Sequence, residues 1–166
     1  MSHKTTPNRI ELDAIAWKLI ECLQHNARLS FAELGRQVGL STPAVAERVH
    51  RLEDAGVITG YHASLNLATL GVPIHVWMRL TIPGGDLQIR RTVAAIQELI
   101  EISRCHRITG SESFVFEAHV VSIRHLEVLI DRLSALGATS TSTVLSSPVE
   151  RREYGARQIE GFAKYL

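Results

Sequence analysis

The chain has 166 residues, 45% hydrophobic and 21% charged, with a formal net charge of +1. That balance excludes wholesale disorder, and the length suits one large domain or two small ones. Near-neutrality excludes phosphate binding by bulk charge. Residues 1–60 carry seven Lys and Arg against seven Asp and Glu, a difference of zero, so affinity for a polyanion must come from local clustering and repeated copies.

Cys22 and Cys105 lack any paired spacing, so neither a disulfide framework nor a zinc module is indicated. The opening MSHKTTPNRI lacks the apolar run of a signal peptide, and no later stretch is apolar for long enough to cross a bilayer. A cytoplasmic protein is expected.

Leu12, Ile15, Ala16, Leu19, Ile20 and Leu23 recur at the spacing of one helix face. Asp13 stands near the start, where a carboxylate favours the positive end of the helix dipole. After HNAR, Ser30 and Glu33 form a capping box, Leu34 and Val38 supply an apolar face, and Gly39 ends the second helix in the left-handed conformation. Ser41 offers the next N-cap, with Pro43 in the first turn, where a missing N–H is harmless. Val45, Val49 and Leu52 line the inner side of this third helix.

Two helices joined by a short glycine-containing turn have the arrangement of a helix-turn-helix, whose second helix enters the major groove. Ser41, Thr42, Pro43 and Ala44 are small enough to bring the helix start close to bases. Glu47, Arg48 and Arg51 project from the same helix, and the arginines suit guanine edges or phosphates. An ordinary amphipathic helix with a solvated arginine face has the same spacing, so geometry leaves both readings open. Beyond it, Gly56 caps the helix, and Val57, Ile58 and Tyr61 read as an extended stretch. That stretch is either a wing or a connecting strand to a second domain.

Over LDAIAWKLIECLQHNARLSFAELGRQVGLSTPAVAERVHRLEDAGVITGYHASLN, the chain resembles the leucine-responsive/asparagine-operon regulator (Lrp/AsnC) family of bacteria and archaea. The matching elements are the opening Leu-Asp, LQ followed by NAR, GLS, ERVHRLE, GVI and GY. The resemblance implies a DNA-binding domain with its recognition helix near residues 42–54.

The second half alternates strands and helices. Ile74, Val76, Met78, Leu80 and Ile82 share one face of a strand whose other face carries His75, Trp77, Arg79 and Thr81. Asp86 caps a helix in which Ile89, Val93, Ile96 and Ile100 share a face. A strand near 101–108, the TGSES turn with Gly110 at its bend, and a strand carrying Phe114, Phe116, Ala118 and Val120 follow. Ser122 caps a helix with Ile123, Leu126, Ile130 and Leu133, stopped by Gly137, and TSTSTVLS forms the last strand. The predicted fold class is α+β: a winged helix-turn-helix domain, residues 1–66, followed by a ferredoxin-like βαββαβ domain, residues 67–166. The charged segment VERREYGARQIEGFAKYL reads as a solvated tail.

Both helices cover one face of such a sheet. The other face, with Trp77, is expected to meet a second copy by twofold contact. The family resemblance implies dimers formed this way, commonly assembled into tetramers, octamers or larger rings. It also implies an effector-binding and oligomerisation domain, whose amino-acid effector binds around the turn after the second strand, between neighbouring dimers. The commoner family pattern there is Gly-x-x-Asp. Gly110 matches it, but Ser113 stands at the aspartate position, so a neutral hydroxyl replaces a charge. Thr109, Gly110, Ser111, Glu112 and Ser113 are the expected border of an inter-dimer pocket for an amino acid or related metabolite. Its selectivity is expected to differ from that of aspartate-bearing relatives, and Glu112 is offset by one residue toward the other face.

No cofactor is expected, and His106, His119 and His125 show no metal-ligand spacing with Cys105. A lineage of haem-precursor decarboxylases resembles the same two-domain arrangement without acting on DNA, and a stand-alone metabolite sensor is a third reading. The capped recognition helix and its arginines favour the regulator, and the second domain offers no catalytic pair.

Overall fold

The computed structural model describes residues 10–162 and residue 165. Ten elements follow in order: α1 Ala14–His25, α2 Phe31–Val38, α3 Thr42–Asp54, β1 Ile74–Thr81, α4 Asp86–Gln97, β2 Ile102–Arg107, β3 Phe114–Val120, α5 Ile123–Ser134, β4 Ala138–Thr143 and α6 Ala156–Phe162. They form two compact units. Ser64–Pro148 is one, and the residues on either side of that span form the other. The sequence-based boundary of 67–166 therefore differs at its far end, because the chain from Val149 onward belongs with the helices.

Each of the first three helices begins on a side-chain cap or a proline. Asp13 Oδ1 accepts from Ala16 N–H at 2.7 Å. Ser30 Oγ accepts from Glu33 N–H at 3.2 Å, and Glu33 Oε2 accepts from Ser30 N–H at 2.7 Å, completing the capping box. Ser41 occupies the N-cap of α3 without a side-chain cap bond, and Pro43 lies in its first turn. Leu19, Cys22, Leu23, Leu34, Val45 and Val49 form one buried cluster, and Ala16, Ile20 and Leu52 form another beside it.

No wing forms among the described residues. The first strand among the described residues is β1. Val57 N–H and Ile58 N–H both donate to the Leu52 carbonyl, at 2.9 and 3.1 Å. This turns the chain back at Gly56, which has φ of 68°, and lays both side chains on the helical core. The extended stretch expected here is thus consumed by a helix-terminating turn, with Ala55 rather than Gly56 at the cap itself.

The second unit is the βαββαβ fold. Its antiparallel sheet runs β2-β3-β1-β4. Val76, Met78 and Leu80 of β1 and Phe114, Phe116, Ala118 and Val120 of β3 form the apolar face, covered by α4 and α5. Two helix faces differ from the periodicity reading. On α4 the inward residues are Ile89, Thr92 and Ile96, followed by Leu99 beyond the helix end, whereas Val93 is exposed and Ile100 is 95% exposed. On α5, Leu126, Leu129 and Leu133 are buried and Ile123 points outward. Gly137 does not stop α5, which ends at Ser134. A Cβ at Gly137 would lie 2.2 Å from the Thr81 carbonyl oxygen, so glycine there permits a close backbone approach to β1.

The tail is not simply solvated. Gln24 Nε2 donates to the Tyr154 carbonyl at 2.8 Å, and Tyr154 N–H donates to Gln24 Oε1 at 3.0 Å. One side-chain amide thus pairs with a peptide as a neighbouring strand would. His25 and Glu153 lie 3.6 Å apart beside it, and α6 follows.

Candidate DNA and effector sites

The turn between α2 and α3 is built from small residues. Gly39 has φ of 73°, and both its N–H and that of Leu40 donate to the Gly35 carbonyl. A Cβ on Gly35 would lie 2.5 Å from the Leu40 carbonyl oxygen. Two positions therefore fix this turn, one by conformation and one by space. The sequence reading named only Gly39. The signal for Gly35 was a glycine inside a helix, which costs stability there unless something needs the room.

Three buried residues, Val45, Val49 and Leu52, seat α3 and fix which side faces out. Ser41, Thr42, Pro43, Glu47 and Arg51 are exposed, with Ala44 and Arg48 half-buried at the margin. The structure thus brings all seven candidate DNA residues onto one helix and its cap. It also separates the two arginines. Arg51 pairs with Glu47 one turn earlier, on the exposed face. Arg48 reaches back to α1, where its Nη1 donates to Asp13 Oδ2 at 2.6 Å. Asp13 therefore divides its oxygens between the cap of α1 and the guanidinium of α3. The Ala16 N–H first, and Arg48 second, hold its carboxyl below the usual carboxylate range.

The far end of α3 is tied to the chain that leaves it. Tyr61 Oη donates to Glu53 Oε1 at 2.9 Å, and His50 Nδ1 lies 3.0 Å from Glu53 Oε2. Burial first, and Glu53 second, push the Tyr61 hydroxyl up to about 12. His50 and Tyr61 hold the Glu53 carboxyl low in turn.

The second candidate site is the β2–β3 turn. Gly110 has φ of 124°, a backbone conformation that favours glycine. Ser113 is fully engaged by main chain. Its N–H donates to Leu80 O at 2.9 Å, its carbonyl accepts from Ile108 N–H at 3.1 Å, and its Oγ accepts from Ile82 N–H at 3.2 Å. Thr81 Oγ1 donates to Ser111 O at 3.3 Å. The turn is thereby fastened to the end of β1. Ser111 Oγ donates to Glu112 Oε2 at 2.7 Å. That hydroxyl first, then the residue's own N–H and the charge of Arg79, hold the Glu112 carboxyl low. Thr109, Gly110 and Ser111 are exposed, and Glu112 and Ser113 are half-buried. Negative charge at this turn therefore sits on Glu112, while Ser113 holds the fold.

Residues 12–53 match the family described as an AsnC-type helix-turn-helix domain, and residues 76–154 match the Lrp/AsnC ligand binding domain. The chain belongs to the Lrp/AsnC family. It is 34% identical over 137 residues to the transcriptional regulator LrpC of Bacillus subtilis, covering 82% of this chain and 94% of that one. It is 36% identical over 139 residues to the leucine-responsive regulatory protein of Haemophilus influenzae, covering 81% and 84%. The structure of Bacillus subtilis LrpC superposes with a TM-score of 0.79 at 32% identity, covering 86% of this chain and all of that one. A Neisseria meningitidis transcriptional regulator, solved as a complex with L-Met, superposes with a TM-score of 0.81 at 25% identity, covering 90% and 99%. The Lrp/AsnC relatives named here are transcriptional regulators, and the regulator reading is supported over the decarboxylase one.

Other reactive groups have local roles. Cys22 Sγ donates to Gln37 Oε1 at 2.9 Å beneath α1. Partial desolvation pushes the Cys105 thiol up, away from the reactive thiolate. Glu101 is buried. Its Oε1 accepts from Arg132 Nη1 at 3.0 Å and lies 3.0 Å from His125 Nε2, which ties α5 to the start of β2. Sequence spacing gave no sign of this cluster, whose members come from α5 and from the residue that precedes β2.

Proposed function

We propose that this regulator reads double-stranded DNA with α3 and responds to an amino acid bound at the β2–β3 turn. Ser41, Thr42, Pro43 and Ala44 bring the helix start to the major groove. Glu47 and Arg51 face base edges or phosphates, and Arg48 sets the angle of the helix through Asp13. The observation that carries this reading is the pinned α2–α3 turn, which holds α3 by its inner face and leaves the outer one open. In this reading the second unit is a binding unit rather than an enzyme, and the protein works in the cytoplasm, where its DNA lies.

At the β2–β3 turn, Glu112 supplies the charge for an ammonium group and Ser113 keeps the loop closed. The Neisseria relative solved with L-Met makes methionine the first effector to try. Two copies meet through the open face of the sheet, and their third helices then address successive major-groove faces about one helical turn apart. Larger assemblies place the β2–β3 turns of neighbouring dimers together.

The test is a shift assay on DNA upstream of the protein's own gene, titrated with each amino acid and with salt. Retarded complexes that are lost in an Arg48→Ala/Arg51→Ala variant, and altered by one amino acid in wild type but not in Glu112→Gln, support the reading. Retardation unchanged in the arginine double variant removes α3 from the interface.

A further inference from the structure

The sheet face turned away from α4 and α5 carries a pair of histidines. Register places His75 of β1 opposite His119 of β3, with Trp77 opposite Glu117 and Arg79 opposite Val115. The imidazoles stack with centroids 4.5 Å apart and planes 13° from parallel. Nε2 of His75 is buried and has no hydrogen-bond partner among the described residues. Trp77 borders the stack, its ring 6.4 Å from that of His75.

The remainder of this face is charged and mixed in sign. Arg104 and His106 of β2 join it by their pairing with Glu117 and Val115, and Ser140 and Ser142 of β4 join it beside Arg79 and Trp77. Arg79 and Arg104 flank Glu117, an arrangement that complements itself across a twofold axis, where each residue meets its counterpart's neighbour. The occupant this charge pattern fits is therefore a second copy of this chain.

Two imidazoles in face-to-face contact tolerate each other when neutral. A proton on either brings positive charge against its neighbour and near the guanidiniums of Arg79 and Arg104, opposed by Glu117 within the sheet and by Glu112, which lies near Arg79 at the β2–β3 turn. Burial first, and His75 second, lower the proton affinity of His119 already in one copy, and Glu117 raises it in part. A second copy over this face removes the remaining water and favours the neutral form further.

We propose that the His75–His119 stack is a proton switch on self-association: neutral, it lies flat within the interface between two copies; protonated, it drives them apart. The inference rests on the reading that the sheet face is where copies meet. A histidine whose proton affinity is lower in the dimer than in the free chain leaves association intact above the free-chain value, which for His119 already lies below the ordinary imidazole value of roughly 6.5. Association then weakens as the pH falls below it. If each copy takes up one proton on separating, the dimer dissociation constant rises by up to about 100-fold per pH unit there.

Sedimentation velocity on the full chain, from about pH 8 to about pH 5.5, reads this directly. The wild type is expected to dimerise at the upper pH and to loosen at least about tenfold at the lower one. The His75→Phe/His119→Phe variant keeps two flat rings and loses the proton sites, so its dimer is expected to be indifferent to pH. His106→Gln is expected to keep the wild-type dependence. A wild-type dissociation constant that is the same at both pH values overturns the switch, as does a Phe variant with undiminished pH dependence. Should the Phe variant not fold, ring-proton NMR of the wild type decides instead: both histidines titrating identically in dilute and concentrated samples overturns it. Trp77→Arg at the upper pH separates the two levels. A dimer that survives it overturns the sheet-face reading and the switch together, whereas a dimer lost to it but indifferent to pH overturns the switch alone.

Discussion

In the helical unit, the contacts that fix each turn join residues a few positions apart: Asp13 with Ala16, Ser30 with Glu33, Gly35 with Leu40. In the sheet unit, the decisive partners come from separate elements: His75 with His119, Glu101 with Arg132, Thr81 with Ser111. The first unit is therefore held by many small local devices around a modest core, and the second by one large core that forms all together. The placement of function follows. Under the proposed function, a DNA-reading helix needs a fixed angle, which caps and a tight turn provide, while an effector loop needs to be tied to a sheet that does not yield.

The largest expected effect tests the core of the sheet. Phe116 is fully buried between β1, β3 and the covering helices. Phe116→Ala should destabilise this unit by about 3–5 kcal/mol, through lost burial and the cavity left behind. Calorimetry should show its transition moving while that of the helices stays. One shared transition moving as a whole would show that the two units do not unfold separately.

Next come the two arginines of α3. Arg51→Ala should weaken DNA binding by about 1–3 kcal/mol if it meets a base edge. If it meets only phosphate, the salt slope should fall by about one instead, equally on all sequences. Arg48→Ala should weaken binding through the angle of the helix, and Asp13→Asn should reproduce most of that loss. Additive losses in the Asp13→Asn/Arg48→Ala double variant would show that Arg48 acts on DNA independently of Asp13.

Ser30→Ala removes one capping hydroxyl and should destabilise the helical unit by about 1 kcal/mol, read by thermal melting, with the sheet unit unmoved. The smallest effect is acidic. Asp13, Glu33 and Glu53 all have carboxyls held below the usual range by hydrogen bonds, from Ala16, Ser30 and His50 respectively as the leading causes. A depressed folded value means that their contribution is complete above the unfolded value, about pH 4, and fades as the pH falls below it. In the sheet unit, burial opposes ionisation of Glu101, but its hydrogen bonds, with Arg132 and His125, outweigh it. Helical ellipticity should therefore begin to decline at least as early in an acid titration as the aromatic signal of the sheet. The reverse order would break the comparison.

The same contrast explains what could be read from residues alone. Caps and left-handed glycines announce themselves locally, so α1, the capping box and the Gly39 turn are legible, as is the alternation that becomes β1 and β3. The inward face of α4 was misread because Thr92 is polar. Periodicity selected Val93 and Ile100, whereas the sheet received Thr92 and Leu99, leaving the Thr92 hydroxyl buried without a partner among the described residues. Gly137 looked like a stop signal because its real reason, the Thr81 carbonyl, lies more than fifty positions away in the chain. Arg48 looked free because Asp13 belongs to another helix. That the candidate residues share one helix or one turn was legible, but the contacts that set them apart from one another are created only by the fold.

The Gln24–Tyr154 amide pair has a consequence for how the protein is made. Domains generally fold as they leave the ribosome, from the N-terminus onward. Here the helices of the DNA-facing unit emerge first, yet one of their partners is the segment translated after the whole sheet. That unit's capped helices are made early, but the α1 surface keeps an unpaired Gln24 amide until the segment beyond the sheet has been made. A nascent chain thus has its first three helices made while this fastening is still to come.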